Sequence, residues 1–368
     1  MKKRIVSLLA GATILAAMLT GCAAAPAATS AGPATQEAAE SAAEEAGATA
    51  EEAAESASGD IVEVMLAWET SENDPIGQGC LKWKEILEEK SGGQMIVKLY
   101  PNNQMGSKND VIDQMLAGSN VITLADAGFM GERGTPDTGI LMGPYMFDTW
   151  DDCWALVESD WWKDQCDQLA ENGLKVVTSN WEYGLRHYLT KDPVHTVDDM
   201  AGMKIRVADS TIWIKGTEVL GATPTPMAFS EAYTALQQGV IDGIENPAPQ
   251  LYDASFYEAV KNLTLTGHVK NFTVFLTSND WFNTLTEEQQ QWLIESGNEA
   301  GVYEQGVYAA TEQEAIDNLK AAGVNVIELD EETYNGFKEK AKSFYSDPAL
   351  TEKWSDGLYD TVQAAMGK

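Results

Sequence analysis

From Ile61 onward, short apolar runs alternate with longer amphipathic ones, and no other feature limits the possible folds as tightly. "IVEVMLAW" has the length and branched apolar content of a buried strand. "IGQGCLKWKEILEEKSGG" follows with apolar residues at three-to-four spacing and reads as a helix closed by Gly92 and Gly93. "QMIVKLYP" is the next strand, and a helix through Val111 to Leu116 comes after it. "NVITLADAG", "LKVVTSNW", "MKIRVA" and "NFTVFLTS" continue the strands. The alternation predicts an α/β fold with mostly parallel sheets. Ligands of such sheets sit beyond the carboxyl ends of strands, where Trp68, Asp126, Trp181 and Arg206 stand.

One helix is unusually long. "TLTEEQQQWLIESGNEAGVYEQGVYAATEQEAIDNLKAAG" opens with Thr286 and Gln289 at capping-box spacing and reaches Gly323 without a proline. Roughly 35 residues at about 1.5 Å each exceed the width of a small domain, so the helix is expected to pack along two of them. A break near Gly297 or Gly306 is the alternative, because glycine inside a helix costs about 1 kcal/mol. The chain of 368 residues is long enough for two domains.

The first 60 residues read differently. Met1 to Arg4 is basic, and "IVSLLAGATILAAMLTG" is apolar but short for a membrane span. Residues 1–21 are therefore expected to be a signal peptide, and "LTGC" resembles a bacterial lipobox that would make Cys22 a lipidated first residue. Residues 22–60, rich in Ala and Glu and almost without branched apolar side chains, are expected to be a solvated acidic tether. The expectation is a folded body outside the cytoplasmic membrane, held to it by a lipid.

Formal net charge is −33, which repels nucleic acid and anionic lipid. An anionic ligand would need local cations to overcome that field. Three cysteines remain in the body, Cys80, Cys153 and Cys166. A Cys153–Cys166 disulfide and buried free thiols are equally open. The histidines His187, His195 and His268 are too scattered to predict a metal site, and no cofactor motif occurs.

Arginine is scarce: four in the whole chain, at 4, 133, 186 and 206, against 20 lysines. Arginine's planar fork grips a carboxylate with two parallel hydrogen bonds, which lysine cannot do. Arg186 and Arg206 are therefore candidates for holding a planar anion. With 57 acidic residues in the chain, an arginine–carboxylate bridge of purely structural purpose is the competing reading. After "MKIRVA" come Pro224 and Pro226, a stiff extended entry, then Ser230 as a candidate helix cap, Gly239 as the stop, and Pro247 opening another helix.

The runs "YPNNQMG", "YGLRHYLT", "DDMAGMKIRV" and "LGATPTPMAFSEAYTALQQGVIDGIENP" resemble the solute-binding proteins of tripartite ATP-independent periplasmic (TRAP) transporters, the DctP-type receptor family. The resemblance covers about residues 60–360. It implies two α/β lobes with a ligand cleft between them, lobe I from 61–183 and 272–311, lobe II from 184–271 and 312–368. It also implies that Arg206 clamps a ligand carboxylate, Asn246 donates to the same group, Arg186 supplies a second cation and Phe229 packs on the ligand. Asp126 is placed for ligand hydroxyls, and Asp209 is a weaker candidate. Trp68, Glu69 and Trp181 stand at strand ends where a ring or a hydroxylated chain could be held.

The implied function is capture of an organic acid and delivery to TRAP membrane subunits by a monomeric receptor, without catalysis, metal or cofactor. A sugar acid such as a uronate is expected first, and a four-carbon dicarboxylate second. A secreted lipoprotein enzyme acting on acidic sugars, and a sensing subunit of a signalling receptor, are the competing functions.

Overall fold

The computed structural model describes residues 61–368. Cys22, the signal segment and the tether lie outside the described residues. Among the described residues nine strands form one sheet: β1 Val62–Ala67, β2 Met95–Tyr100, β3 Val121–Ala125, β4 Leu174–Thr190, β5 Lys204–Val207, β6 Thr223–Pro226, β7 Gly243–Pro247, β8 Asn262–Ser278 and β9 Asn325–Ile327. Their order is β2-β1-β3-β8-β4-β7-β5-β6, with β9 added beside β8.

The outer parts of the sheet are parallel, as expected: β1 with β2 and β3, and β5 with β6 and β7. The centre is not. β4 and β8, each 17 residues long, run antiparallel to one another. β3 pairs antiparallel to β8, and β7 to β4. The first half of β4 lies beside the β1–β3 part, and its second half pairs with β7. The two long strands therefore cross from one half of the molecule to the other. Only "LKVVTSNW" and "NFTVFLTS" were legible as strands because register shifts interrupt the period of two, including one at Glu182/Gly184 and one at Arg186/Tyr188. Gly184 sits in that crossover at φ +130°, and a Cβ there would meet the Tyr308 ring at 2.4 Å.

The long helix is continuous over Glu287–Ala321, and Thr286 and Gln289 form the expected capping box. Its two early glycines are close-packing positions. A Cβ on Gly297 would lie 2.8 Å from the Trp83 ring, and one on Gly301 2.6 Å from Asn180 Oδ1. Leu293 and Ala300 pack into the core around Trp83 and Phe275, beside β1–β3. Ile316 and Leu319 pack into the core around Ile244 and Leu263, in the β7 half. One helix thus braces both halves.

One local reading is corrected. Ser230 does not cap a helix: it lies inside a 3-10 turn, Phe229–Glu231, and the helix Ala232–Gln237 follows without a side-chain cap. "IENP" lies in strand β7, and the helix expected at Pro247 follows it over Ala248–Asp253. The strand Thr223–Pro226 tolerates its prolines because it is the sheet edge. Cys80, Cys153 and Cys166 are all free thiols, so there is no Cys153–Cys166 disulfide. Among the described residues no helix is long and apolar enough to cross a membrane, and no group of three His, Cys, Asp or Glu could hold a metal ion.

Candidate functional site

A cleft of about 630 Å³ opens between the β1–β3 half and the β5–β7 half. It narrows to a small inner chamber of about 20 Å³ that shares Glu69, Lys108, Phe129, Arg206, Ala208 and Phe229 with it. The chamber lies at the carboxyl ends of β3, β5 and β7, where α/β folds place ligands.

Arg206 stands on β5 and is buried. Its Nε and Nη2 donate to the Met227 carbonyl at 3.1 and 2.8 Å, and its guanidinium lies 5.6 Å from the Phe229 ring. The stiff Thr223–Pro226 edge delivers Met227 to that position. Among the described residues no carboxylate lies within ion-pairing distance of Arg206, and its Nη1 makes no hydrogen bond. Burial pushes its pKa below the ordinary arginine value, with Glu69 and Glu245 opposing from further away. One edge of the fork is fixed to backbone and the other faces the cavity.

Arg186 is equally buried but differs in kind. Its fork grips Glu245, with Nη2 2.7 Å from Oε1 and Nε 2.5 Å from Oε2, and its Nη1 donates to Asn271 at 3.0 Å. Strand register explains the pair: Arg186 faces Pro247 and Tyr188 faces Glu245, so Arg186 and Glu245 are diagonal neighbours on β4 and β7. His268 Nε2 lies 3.5 Å from the same carboxylate. The guanidinium is covered by Trp213 at 4.4 Å and Tyr183 at 5.5 Å. Burial works against the Arg186 charge, but Glu245 more than offsets it and the pKa lies above the ordinary value. Arg186 lines the chamber, yet its charge is already matched. The bridge weighed against a ligand role from sequence is present here.

Asn246 lines the chamber, buried, and its Oδ1 accepts no hydrogen bond within the described chain. Asp126 also lines it, and both its oxygens have partners: Gly128 N at 2.9 Å on Oδ1, and Trp213 Nε1 at 3.0 Å on Oδ2. Burial raises its pKa, with Lys108 and Trp213 opposing. Glu69 lines both cavities and pairs with Lys108 at 2.9 Å. Phe229 lines both, and Asp209 lines the outer cleft.

Trp68 and Trp181 are not in the cleft, which corrects the sequence expectation. Both are fully buried in the core of the β1–β3 half. Trp68 Nε1 donates to Ser71 O, and Trp181 Nε1 donates to Gly297 O on the long helix. Trp68 follows the end of β1 while Trp181 lies inside β4, and the core claimed the large apolar surface of each. Sequence reasoning missed Lys108, Tyr183, Trp213 and Thr273, which do line the site. Lys108 opens a helix behind Ser107, a position that looks like ordinary surface charge, and Trp213 sits in a helix with nothing to mark its face as lining a site.

A cleft between two α/β halves, spanned by crossing strands and ending on a buried cation without a counter-charge among the described residues, is the architecture of a receptor for a small anionic solute. The chain belongs to the bacterial extracellular solute-binding protein family 7, DctP, whose model matches residues 66–351. It is 32% identical over 271 residues, 73% of this chain and 82% of the relative, to the 2,3-diketo-L-gulonate-binding periplasmic protein YiaO of Escherichia coli. Among solved structures it is similar to a TRAP periplasmic solute-binding protein of Actinobacillus succinogenes with bound L-galactonate, at TM-score 0.79 and 35% identity, covering 83% of this chain and 99% of that one. A TRAP periplasmic solute-binding protein of Ochrobacterium anthropi with bound L-fuconate matches at TM-score 0.80 and 37% identity over the same shares, 83% and 99%. The protein is thus an extracytoplasmic TRAP solute-binding receptor of two-lobed fold, not an enzyme.

Proposed function

We propose that the protein captures a six-carbon sugar acid, an aldonate before a uronate, and delivers it to the membrane subunits of a TRAP transporter. The observation that carries this reading is the buried, unpaired guanidinium of Arg206 at the cleft. A buried charge without a partner is costly, so its partner comes with the ligand. Nη1 and Nη2 offer the ligand carboxylate a two-pronged grip, and Asn246 stands beside them in the chamber wall.

Charge counting favours a monoacid. Three cations line the two cavities, Lys108, Arg186 and Arg206. Lys108 is matched by Glu69 and Arg186 by Glu245. Among the described residues that leaves Arg206 as the lining cation without an ion pair, which suits one carboxylate better than the two of a four-carbon dicarboxylate. Glu69 and Asp126 still offer acceptor lone pairs to sugar hydroxyls. The three relatives named above carry 2,3-diketo-L-gulonate, L-galactonate and L-fuconate in their names, each a six-carbon sugar acid with one carboxylate. The lobe boundaries near 183/184 and 271/272 are proposed as the hinge, supported by the register shift at Glu182/Gly184. Cys22 is proposed to carry the lipid anchor, and membrane release of a Cys22→Ala variant is the corresponding test.

The test of the ligand assignment is titration calorimetry on the full chain with L-galactonate, L-fuconate, D-galactose and succinate. Binding of the sugar acids, and a loss of at least tenfold in Arg206→Ala, is the expected result. Binding of D-galactose with unchanged affinity in Arg206→Ala would remove Arg206 from the site.

A further inference from the structure

The segment Asp209–Trp213 begins three residues after Arg206 and starts the helix Thr211–Val219 in the β5–β7 half. Its polar contacts reach across the cleft. Asn109 Nδ2 donates to the Asp209 carbonyl at 3.3 Å. The Thr211 N–H donates to Glu132 Oε1 at 2.6 Å. The Trp213 indole donates to Asp126 Oδ2 at 3.0 Å. Between them, Ile212 lies on bare backbone, where a Cβ on Gly139 would come within 2.8 Å of its Cδ1. Asn109, Asp126, Glu132 and Gly139 all belong to the chain around β3, within the stretch 61–183 proposed as lobe I.

The helix start shows that this contact is built into the segment. Ser210 stands at the N-cap but makes no side-chain cap, and its buried Oγ has no partner within the described chain. The Thr211 N–H is satisfied instead by a carboxylate from across the cleft. Asn109 is itself held in place, since its Oδ1 accepts from Arg133 Nη2 at 3.0 Å. This gives the third arginine of the body a role of its own. Asn109 and Asp209 line the mouth of the cleft, and Asp126 and Trp213 line the chamber beneath it.

We propose that Asp209–Trp213 is a strap that locks the closed cleft, with Glu132 as the positioning residue that fastens it. The proposal rests on the reading that the cleft closes over a carboxylate held by Arg206. Separation of the two halves breaks all of these contacts together. The strap therefore governs how long a ligand stays, while Arg206 and its neighbours govern which ligand is taken. Glu132 lines neither cavity, so its effect is on closure rather than on recognition.

The experiment is stopped-flow tryptophan fluorescence on the full chain with L-galactonate as probe. Glu132→Ala is expected to raise the dissociation rate about 2- to 30-fold, the range for losing a helix N-cap. The association rate and the order of preference among sugar acids stay as in the wild type. Glu132→Gln keeps a carbonyl acceptor and restores most of the residence time, and Glu132→Lys shortens it most. A dissociation rate unchanged in both Glu132→Ala and Glu132→Lys overturns the strap. So does a change in ligand preference, which would make Glu132 a recognition residue. If the wild type does not bind L-galactonate, the sugar-acid reading fails by itself. The strap is then judged by small-angle scattering of the ligand-free chain: a larger radius of gyration in Glu132→Lys supports it, and an unchanged radius overturns it.

Discussion

Glu245→Gln separates the two arginines most sharply. In the wild type the Arg186 fork makes three bonds to Glu245: Nη2 to Oε1 at 2.7 Å, Nε to Oε2 at 2.5 Å, and Nη2 to the carbonyl at 3.1 Å. Glu245 is 1% exposed, so water cannot replace a lost partner. The amide is isosteric, but one of its two tips is a donor facing a donor, and the negative charge is gone. Removing one partner of a buried pair costs about 3–5 kcal/mol. Gln keeps one acceptor, which puts the expected loss near the lower end, about 3 kcal/mol. At roughly 2 °C per kcal/mol for a body of this size, the midpoint should fall by about 6 °C in ligand-free calorimetry. The same substitution frees a second positive charge at the chamber wall. Affinity for succinate should therefore rise relative to L-galactonate. A midpoint within 1 °C of wild type, together with unchanged relative affinities, would refute both the buried-pair energetics and the charge count.

Two further outcomes follow from the buried groups and the long helix. Burial pushes the Asp74 pKa up to about 7, so the folded chain holds that proton more tightly than the unfolded one. Its contribution to stability is fully present below the unfolded value of about 4 and is lost as pH rises to about 7. Asp74→Asn should therefore raise the thermal midpoint at pH 7.5 and leave it nearly unchanged at pH 4, and an equal effect at both pH values would count against the assignment. Gly301→Ala gains roughly 1 kcal/mol of helix propensity but drives a methyl to 2.6 Å from Asn180 Oδ1 and 2.9 Å from Asn180 O. The clash should win, with a net loss of about 1–3 kcal/mol in urea unfolding, and a stabilised variant would mean that the helix and β4 are not in close contact.

Much of the scaffold was legible in short stretches. The capping box at Thr286 and Gln289 and the proline-free run behind it located the long helix, because caps and periodicity act over a few residues. Arg186 and Arg206 were singled out together because arginine is scarce in a lysine-rich chain, and the family resemblance is what distinguished Arg206 as the clamp. The central strands were half hidden. β4 and β8 cross between two environments and change register, so the alternation that marks a strand breaks in the middle.

The sequence by itself determined an α/β body and, through the family resemblance, an extracytoplasmic receptor, and it offered Arg186 and Arg206 alike as candidates for holding an anion. Tertiary structure decided what the other groups do. Arg186 and Glu245 are 59 residues apart, and only the register of β4 against β7 brings them together. That register turns a second candidate clamp into a matched pair and leaves Arg206 as the free charge at the cleft. Trp68 and Trp181 went to the core for a similar reason. Whether such an aromatic faces a ligand or a helix depends on what packs over it, and for Trp181, inside β4, the neighbours are Trp83, Phe275 and Gly297. Local chemistry sets which groups a chain offers, while the pairing of distant strands sets which of them remain unmatched and free to bind.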